Sequence, residues 1–235
     1  MQNETGRMTI GGSLFVHNAI RYDYCIRESI LSLLAFCDQV AVLDCQSEDD
    51  TMPLLRGMAQ DYPALKVYSG GDWNCAQGRE RLAILANQAR SKLSTDWHFM
   101  LQADEVVHEQ SIPYIKEAVI SLKSHGYHCR RFNLYGDFDH CIRLDSTEKP
   151  CGDDPVRLAN MGVPAVGDAE GLDPSGCWPG YVDKIIIVHY GLVRRGSALI
   201  DKTYEMQKWF FGGHDPRTVR AKEEVVFVAS DFTQE

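Results

Sequence analysis

Three short apolar runs in this sequence each end abruptly on polar or charged residues. Ser13–Val16 is followed by His17 and Asn18, Val40–Leu43 by Asp44 with Ser47, Glu48 and Asp49, and Trp97–Leu101 by Gln102, Ala103, Asp104 and Glu105. A strand that closes on such residues marks the carboxyl edge of an open α/β sheet, where such sheets bind ligands. Acids at two of these ends converge on one crevice, and facing carboxylates repel unless something positive lies between them. Hard oxygen donors suit Mg²⁺ or Mn²⁺, so a divalent ion is the expected cation. Farther along, Gly167-Asp168-Ala169-Glu170-Gly171 sets two carboxylates in a glycine-flanked loop with no apolar periodicity. Trp178, between Gly176 and Gly180, is either a packing aromatic or a surface for stacking on a sugar or base. Arg79 and Arg81 lie two apart and so cannot share one helix face.

The elements that must position these residues follow from periodicity. Strands are expected at 13–16, 40–43, 65–68 and 97–101. An amphipathic helix carries Ile26, Ile30, Leu33 and Leu34, a short one starts at Thr51, and others carry Leu82 to Ala89 and run from Ile112 to Leu122. Alternation of this kind predicts a mostly parallel sheet flanked by helices. After Tyr127 the pattern becomes mixed, with strand candidates at 128–135, 156–160, 163–166 and 185–188 and a helix from about 197 to 211. The chain therefore reads as one α/β domain in two functional halves, 1–126 and 127–235.

Composition excludes several classes. With 235 residues, 24 Lys+Arg and 33 Asp+Glu, the formal charge is −9, which disfavours a protein that coats nucleic acid. The balance is uneven, because Lys184 to Lys222 holds eight basic residues (184, 194, 195, 202, 208, 217, 220, 222) and three acids, a local +5. That stretch is either a solvated helix face or a positive wall for a phosphorylated ligand. No run approaches the roughly 20 apolar residues of a membrane span, and the polar start lacks a signal-peptide pattern, so a cytoplasmic protein is expected. The eight cysteines form no CxxC pair, which argues for reduced thiols rather than zinc or disulfides.

Against this background, FVHNAIRYDYCIRESILSLLAFCDQVAVLDCQSEDDT resembles the nucleotide-binding start of family-2 glycosyltransferases of the GT-A fold. QGRERLAILANQARSKLSTDWHFMLQADEVV is similar to that family's Arg-bearing helix and the strand ending in its DxD motif. VHYGLVRRGS resembles its late His-Tyr-Gly element. The resemblance runs from about 13 to 211, and it departs in one respect: Gln102 stands where most members carry the first acid. It implies a nucleotide-sugar donor, a UDP-sugar by expectation, gripped by Val16, Asn18, Asp44, Arg79, Gln102, Ala103 and Lys202. It also implies Mn²⁺ or Mg²⁺ on Asp104 and His189. Asp44 would accept from the base or ribose, or else cap a turn, and Asp49 is an alternative helix cap. An inverting transfer further needs a base beside the acceptor; Asp168 is favoured, Glu170 is second, and Asp153, Asp154 and Asp173 remain open.

The expected acceptor is a glycan or a lipid-linked saccharide. A phage-type enzyme glycosylating hydroxymethylated bases in DNA is an alternative, as is an inactive sugar-binding module, suggested by the missing first acid. A nucleotidyltransferase would normally show a glycine-rich loop after the first strand, and His17–Asp23 contains no glycine.

Overall fold

Alternating apolar runs and amphipathic helices bury their apolar faces most completely as a sheet with helices laid across it. The computed structural model does this over residues 7–76, 78–142, 154–176, 178–194, 196–199, 201, 202 and 205, with the backbone of 227–229. β1 (Ile10–Val16), α1 (Ile26–Leu34), β2 (Gln39–Asp44), α2 (Thr51–Asp61), β3 (Leu65–Ser69), α3 (Glu80–Arg90) and β4 (Trp97–Met100) alternate strictly. β1 lies parallel between β2 and β4, and β3 extends the sheet beyond β2. Ile26, Ile30 and Leu33 bury one face of α1. Gly12 makes room for it, since a Cβ there would sit 3.1 Å from the Leu33 side chain.

The second half continues the same sheet. It contains β5 (Glu105–Val107), a 3₁₀ turn (Glu109–Ser111), α4 (Ile112–Ser121), β6 (Gly126–Tyr135), β7 (His140–Ile142) and β8 (Val156–Asn160). β9 (Ala165–Val166), β10 (Gly171–Leu172), β11 (Gly180–Leu192) and β12 (Phe227–Ala229) follow. β8 is inserted antiparallel between β4 and β6, so the sheet crosses residue 127 without a break. β11 runs parallel to β6 and antiparallel to β5, which brings His189 opposite Glu105. The core lies between sheet and helices, with Trp97, Phe99, Leu14, Val40 and Val42 buried against Ile30 and Leu33.

Several boundaries differ from expectation. β1 starts three residues early, because Gly11 and Gly12 pair with β2 and β4 although glycine carries no strand signal. The helix from Thr51 is not short: it runs for 11 residues, and Pro53 falls in its first turn, where a missing N–H costs nothing. β11 spans 13 residues instead of four, since its pairing with β6 carries it through polar stretches on both sides of Ile185–Val188. β5 was not anticipated; three residues give too short a pattern. Helix is present at 196–199, 201–202 and 205, while the rest of the expected 197–211 segment lies outside the described residues.

Candidate functional site

The carboxyl ends of β1, β2 and β3 stop level with one another, with Val16 opposite Asp44 and Asp44 opposite Ser69. Leu101 N–H donates to the Ser13 carbonyl at 3.0 Å, so the chain leaving β4 emerges beside them. Above this edge lies a cleft of about 240 Å³, far more than a single water needs. Val16, Arg79, Gln102, Ala103, Asp104, Asp168, Glu170, His189 and Lys202 all line it, together with Phe15, His17, Tyr22, Tyr24 and Trp73. Residues expected from distant stretches of sequence thus line one cleft. Asn18 and Asp44 do not.

Asn18 is buried under the cleft in a left-handed conformation (φ 52°), and its side chain is spent on a latch. Its Nδ2 donates to His17 Nε2 at 2.9 Å and its Oδ1 accepts from Glu48 N–H at 2.7 Å. Asp44 Oδ2 caps a turn by accepting from Ser47 N–H at 3.2 Å, while Oδ1 is buried without a partner among the described residues. Asp49 is also a cap: its Oδ1 accepts from Thr51 N–H at 3.0 Å.

His17 is held flat. Its Nδ1–H donates to the Cys45 carbonyl at 2.7 Å, and burial lowers its pKa, so the ring is neutral with Nε2 as acceptor. It stacks on Trp73 with centroids 4.6 Å apart and planes 8° from parallel. Arg81, buried below, places its guanidinium 5.3 Å from the Trp73 ring, whereas Arg79 reaches the cleft. The sequence reading missed Trp73; it lies in a polar loop between elements, where periodicity says nothing.

Asp168 and Glu170 sit on the turn of the β9–β10 hairpin, with Ala169 between them turned inward at φ 57°. Asp168 accepts from Arg79 at 3.0 Å. Glu170 accepts from Arg131 at 2.6 Å. Burial raises the Glu170 carboxyl, but the charge and hydrogen bond of Arg131 outweigh it and leave the group below the usual glutamate value. Arg131 and the fully buried Arg157 both reach Glu105, at 3.5 and 2.6 Å. Glu105 also receives Gln102 N–H at 3.0 Å, while the Ala169 carbonyl accepts from Gln102 Nε2 and Arg157 Nη1. The two acids are therefore mounted on a buried ionic frame.

Asp104 is the centre of a second cluster on the same cleft. Its Oδ2 accepts from Lys202 Nζ at 2.9 Å and Arg194 Nη2 at 2.5 Å, and His189 Nε2 lies 3.6 Å away. Burial opposes its ionisation, yet Lys202, His189 and Arg194 hold the carboxyl well below the usual range. His189 is oriented by Nδ1–H donation to Asn133 Oδ1 at 2.7 Å. Gly191 is required beside it, because a Cβ there would overlap the imidazole. Arg194 was counted in sequence only as part of the basic stretch, and nothing local marked it for this contact.

The divalent ion expected on Asp104 and His189 does not fit this donor set. The 3.6 Å gap would admit an ion, but the carboxylate oxygen facing it already carries two cationic partners. Unit charges 4 Å apart interact by about 4 kcal/mol at an effective dielectric of about 20, and a divalent ion doubles that repulsion against each cation. Gln102 adds no charge, and Glu105 is turned into the core toward Arg157. Among the described residues no group of three His, Cys, Asp or Glu side chains could hold a metal.

Two further expectations lie away from the cleft. Trp178 is 96% exposed, so it is not a packing aromatic. It precedes the end of β11 far from His189 and does not line the cleft. Of the basic stretch, Lys184, Arg194 and Lys202 are described; Arg195, Lys208, Arg217, Arg220 and Lys222 lie outside the described residues, as does Asp153. Described Asp154 and Asp173 are absent from the cleft wall. The described cysteines are free thiols, with burial pushing Cys25 and Cys129 up to about 12; Cys151 and Cys177 lie outside the described residues. No helix among the described residues is long and apolar enough to cross a membrane.

With that geometry established, the likeness to solved structures decides the architecture. The mannosyltransferase PcManGT from Pyrobaculum calidifontis, solved with GDP-Man and Mn²⁺, aligns over 94% of this chain and 66% of its own at TM-score 0.53 and 12% identity. The fold is of the GT-A type. S. aureus TarS (residues 1–349) aligns over 66% of this chain and 48% of its own, at TM-score 0.48 and 13% identity. TarS 1–349 in complex with UDP-GlcNAc aligns over 56% of this chain and 36% of its own, at TM-score 0.44 and 17% identity. The chain thus spans half or less of the TarS structures. No family model and no curated protein matches the sequence.

Proposed function

We propose that this chain transfers a sugar from a nucleoside-diphosphate sugar to a hydroxyl acceptor with inversion at the anomeric carbon. The observation that carries it is the meeting, in one cleft of a GT-A-type fold, of the cations Arg79 and Lys202 with the two carboxylates of a hairpin turn, Asp168 and Glu170. In this reading Trp73, backed by His17, is a platform for the base, and Gln102 hydrogen-bonds the ribose. Arg79 and Lys202 face the diphosphate. Positive groups already in place stabilise charge that develops on the leaving diphosphate without reorganising during the reaction. UDP is the favoured nucleotide, and a glycan or lipid-linked saccharide the favoured acceptor.

Asp168 takes the acceptor proton as its oxygen attacks the anomeric carbon. Glu170, which accepts from Arg131 at 2.6 Å, is the second candidate. The test is release of nucleoside diphosphate from a panel of UDP-, GDP- and dTDP-sugars, with and without saccharide acceptors. Asp168→Asn should lower turnover by about 10²–10⁴-fold, the typical contribution of a general base, with donor affinity within a few-fold. Near-normal turnover of that variant would move the role to Glu170. A chain that binds donors and never turns them over would be a binding module instead.

A further inference from the structure

We infer that Lys202, braced by Arg194 and Asp104, is the cation that receives the donor's diphosphate, so that nucleotide binding at this site is metal-independent. The inference rests on the nucleotide-sugar reading above and deepens it. Lys202 and Arg194 both bind Asp104 Oδ2, but their exposure divides the work between them. The Arg194 side chain is 0% exposed and is absent from the cleft wall, whereas Lys202 is 17% exposed and lines it. An ammonium has three donors, and one is committed to Asp104.

Arg194 cannot swing toward a ligand. Its Nε donates to the Gly191 carbonyl at 2.9 Å, its Nη1 to the carbonyls of Tyr22 and Asp23 at 2.6 and 3.1 Å, and its Nη2 to Asp104. Its guanidinium lies 4.4 Å from the Tyr24 ring centre, and the Lys202 ammonium lies 5.4 Å from the same ring. Tyr24 and Arg194 thus form a rigid bed for Lys202. Asp104 brings one negative charge and the two cations bring two positive ones, a net of +1. A lone carboxylate holding a divalent ion would present that same net charge. A cation pair thus stands where a divalent ion is expected, with the uncharged Gln102 on the same cleft; Asp168, Glu170 and Glu205 are the other acids that line it.

The test is calorimetric titration of UDP, GDP, CDP and ADP into the full chain, in EDTA and again in MnCl₂, with a parallel measurement of protein-bound Mn²⁺ by electron paramagnetic resonance. The best-bound nucleotide should bind in EDTA with affinity within about twofold of that in Mn²⁺, and no tightly bound ion should appear. Lys202→Ala should weaken it by at least about tenfold, as loss of a charge-assisted hydrogen bond does, and Lys202→Arg should recover part of the loss. Binding that requires Mn²⁺, with a bound ion that disappears in Asp104→Asn, overturns the inference while leaving the nucleotide-sugar reading intact. If no nucleoside diphosphate binds under either condition, that reading fails and this inference with it. Should Lys202→Ala not fold, the comparison of EDTA with Mn²⁺ on the unaltered chain still decides.

Discussion

Glu105 and Asp104 are neighbours in sequence with opposite fates. Asp104 faces the cleft, and Glu105 is fully buried against Arg157 with Gln102 N–H on its other oxygen. Removing one partner of a buried ion pair leaves the other charge uncompensated, typically at a cost of about 3–5 kcal/mol. Glu105→Gln should therefore lower unfolding free energy by that order in a urea titration, and an unchanged midpoint would contradict the buried frame. A run such as QADE says that acids cluster at a strand end. It does not say which one points inward, because that depends on Arg131 and Arg157, more than 20 residues away.

At the scale of elements, the β9–β10 hairpin carries both candidate bases and has only two paired positions of its own. It is held instead by α3, whose Asn87 side chain exchanges two hydrogen bonds with Ala165, at 2.8 and 3.0 Å. Asn87→Ala should cost about 1–3 kcal/mol through the groups left unpaired. It should also speed amide exchange selectively across 165–172; uniform protection would show that the hairpin stands without α3. The alternating strands and helices of the first half were legible because their apolar residues repeat with a clear period. β5 and the ends of β11 were not, since their backbones are fixed by pairing with each other and with β6 rather than by their own side chains. Likewise the acids of the hairpin turn stood out between glycines, while Trp73 and Arg194 carried no local signal.

Across the whole molecule, the sheet's centre buries a titratable group. His98 on β4 is fully buried, its Nε2–H donates to the Val163 carbonyl at 3.2 Å, and Nδ1 has no partner among the described residues. Burial chiefly, with Arg90 assisting, lowers its pKa to about 3. The unfolded chain therefore takes up this proton near pH 6.5 while the folded chain refuses it until about pH 3, so His98 favours folding above that window and this contribution is lost as pH falls. Between about pH 6 and pH 4 the slope from this group approaches roughly 1.4 kcal/mol per pH unit. Urea titrations of the unaltered chain and His98→Gln should show the variant's stability falling less steeply with acid; parallel curves would rule His98 out as the cause. Arg194 has a consequence of a different kind. It joins the carbonyls of Tyr22 and Asp23, the carboxylate of Asp104 and the end of β11, positions up to 172 residues apart. Recombination between this gene and that of a metal-using member of the fold would separate carboxylate from cations and strand a buried charge in each product. Changing Gln102 to Asp alone would add a negative charge to the cleft that Asp104 and its two cations already share. Carboxylate and cations are therefore one set drawn from both halves of the chain, and exchanging either half alone leaves a charge of the other buried without its partner.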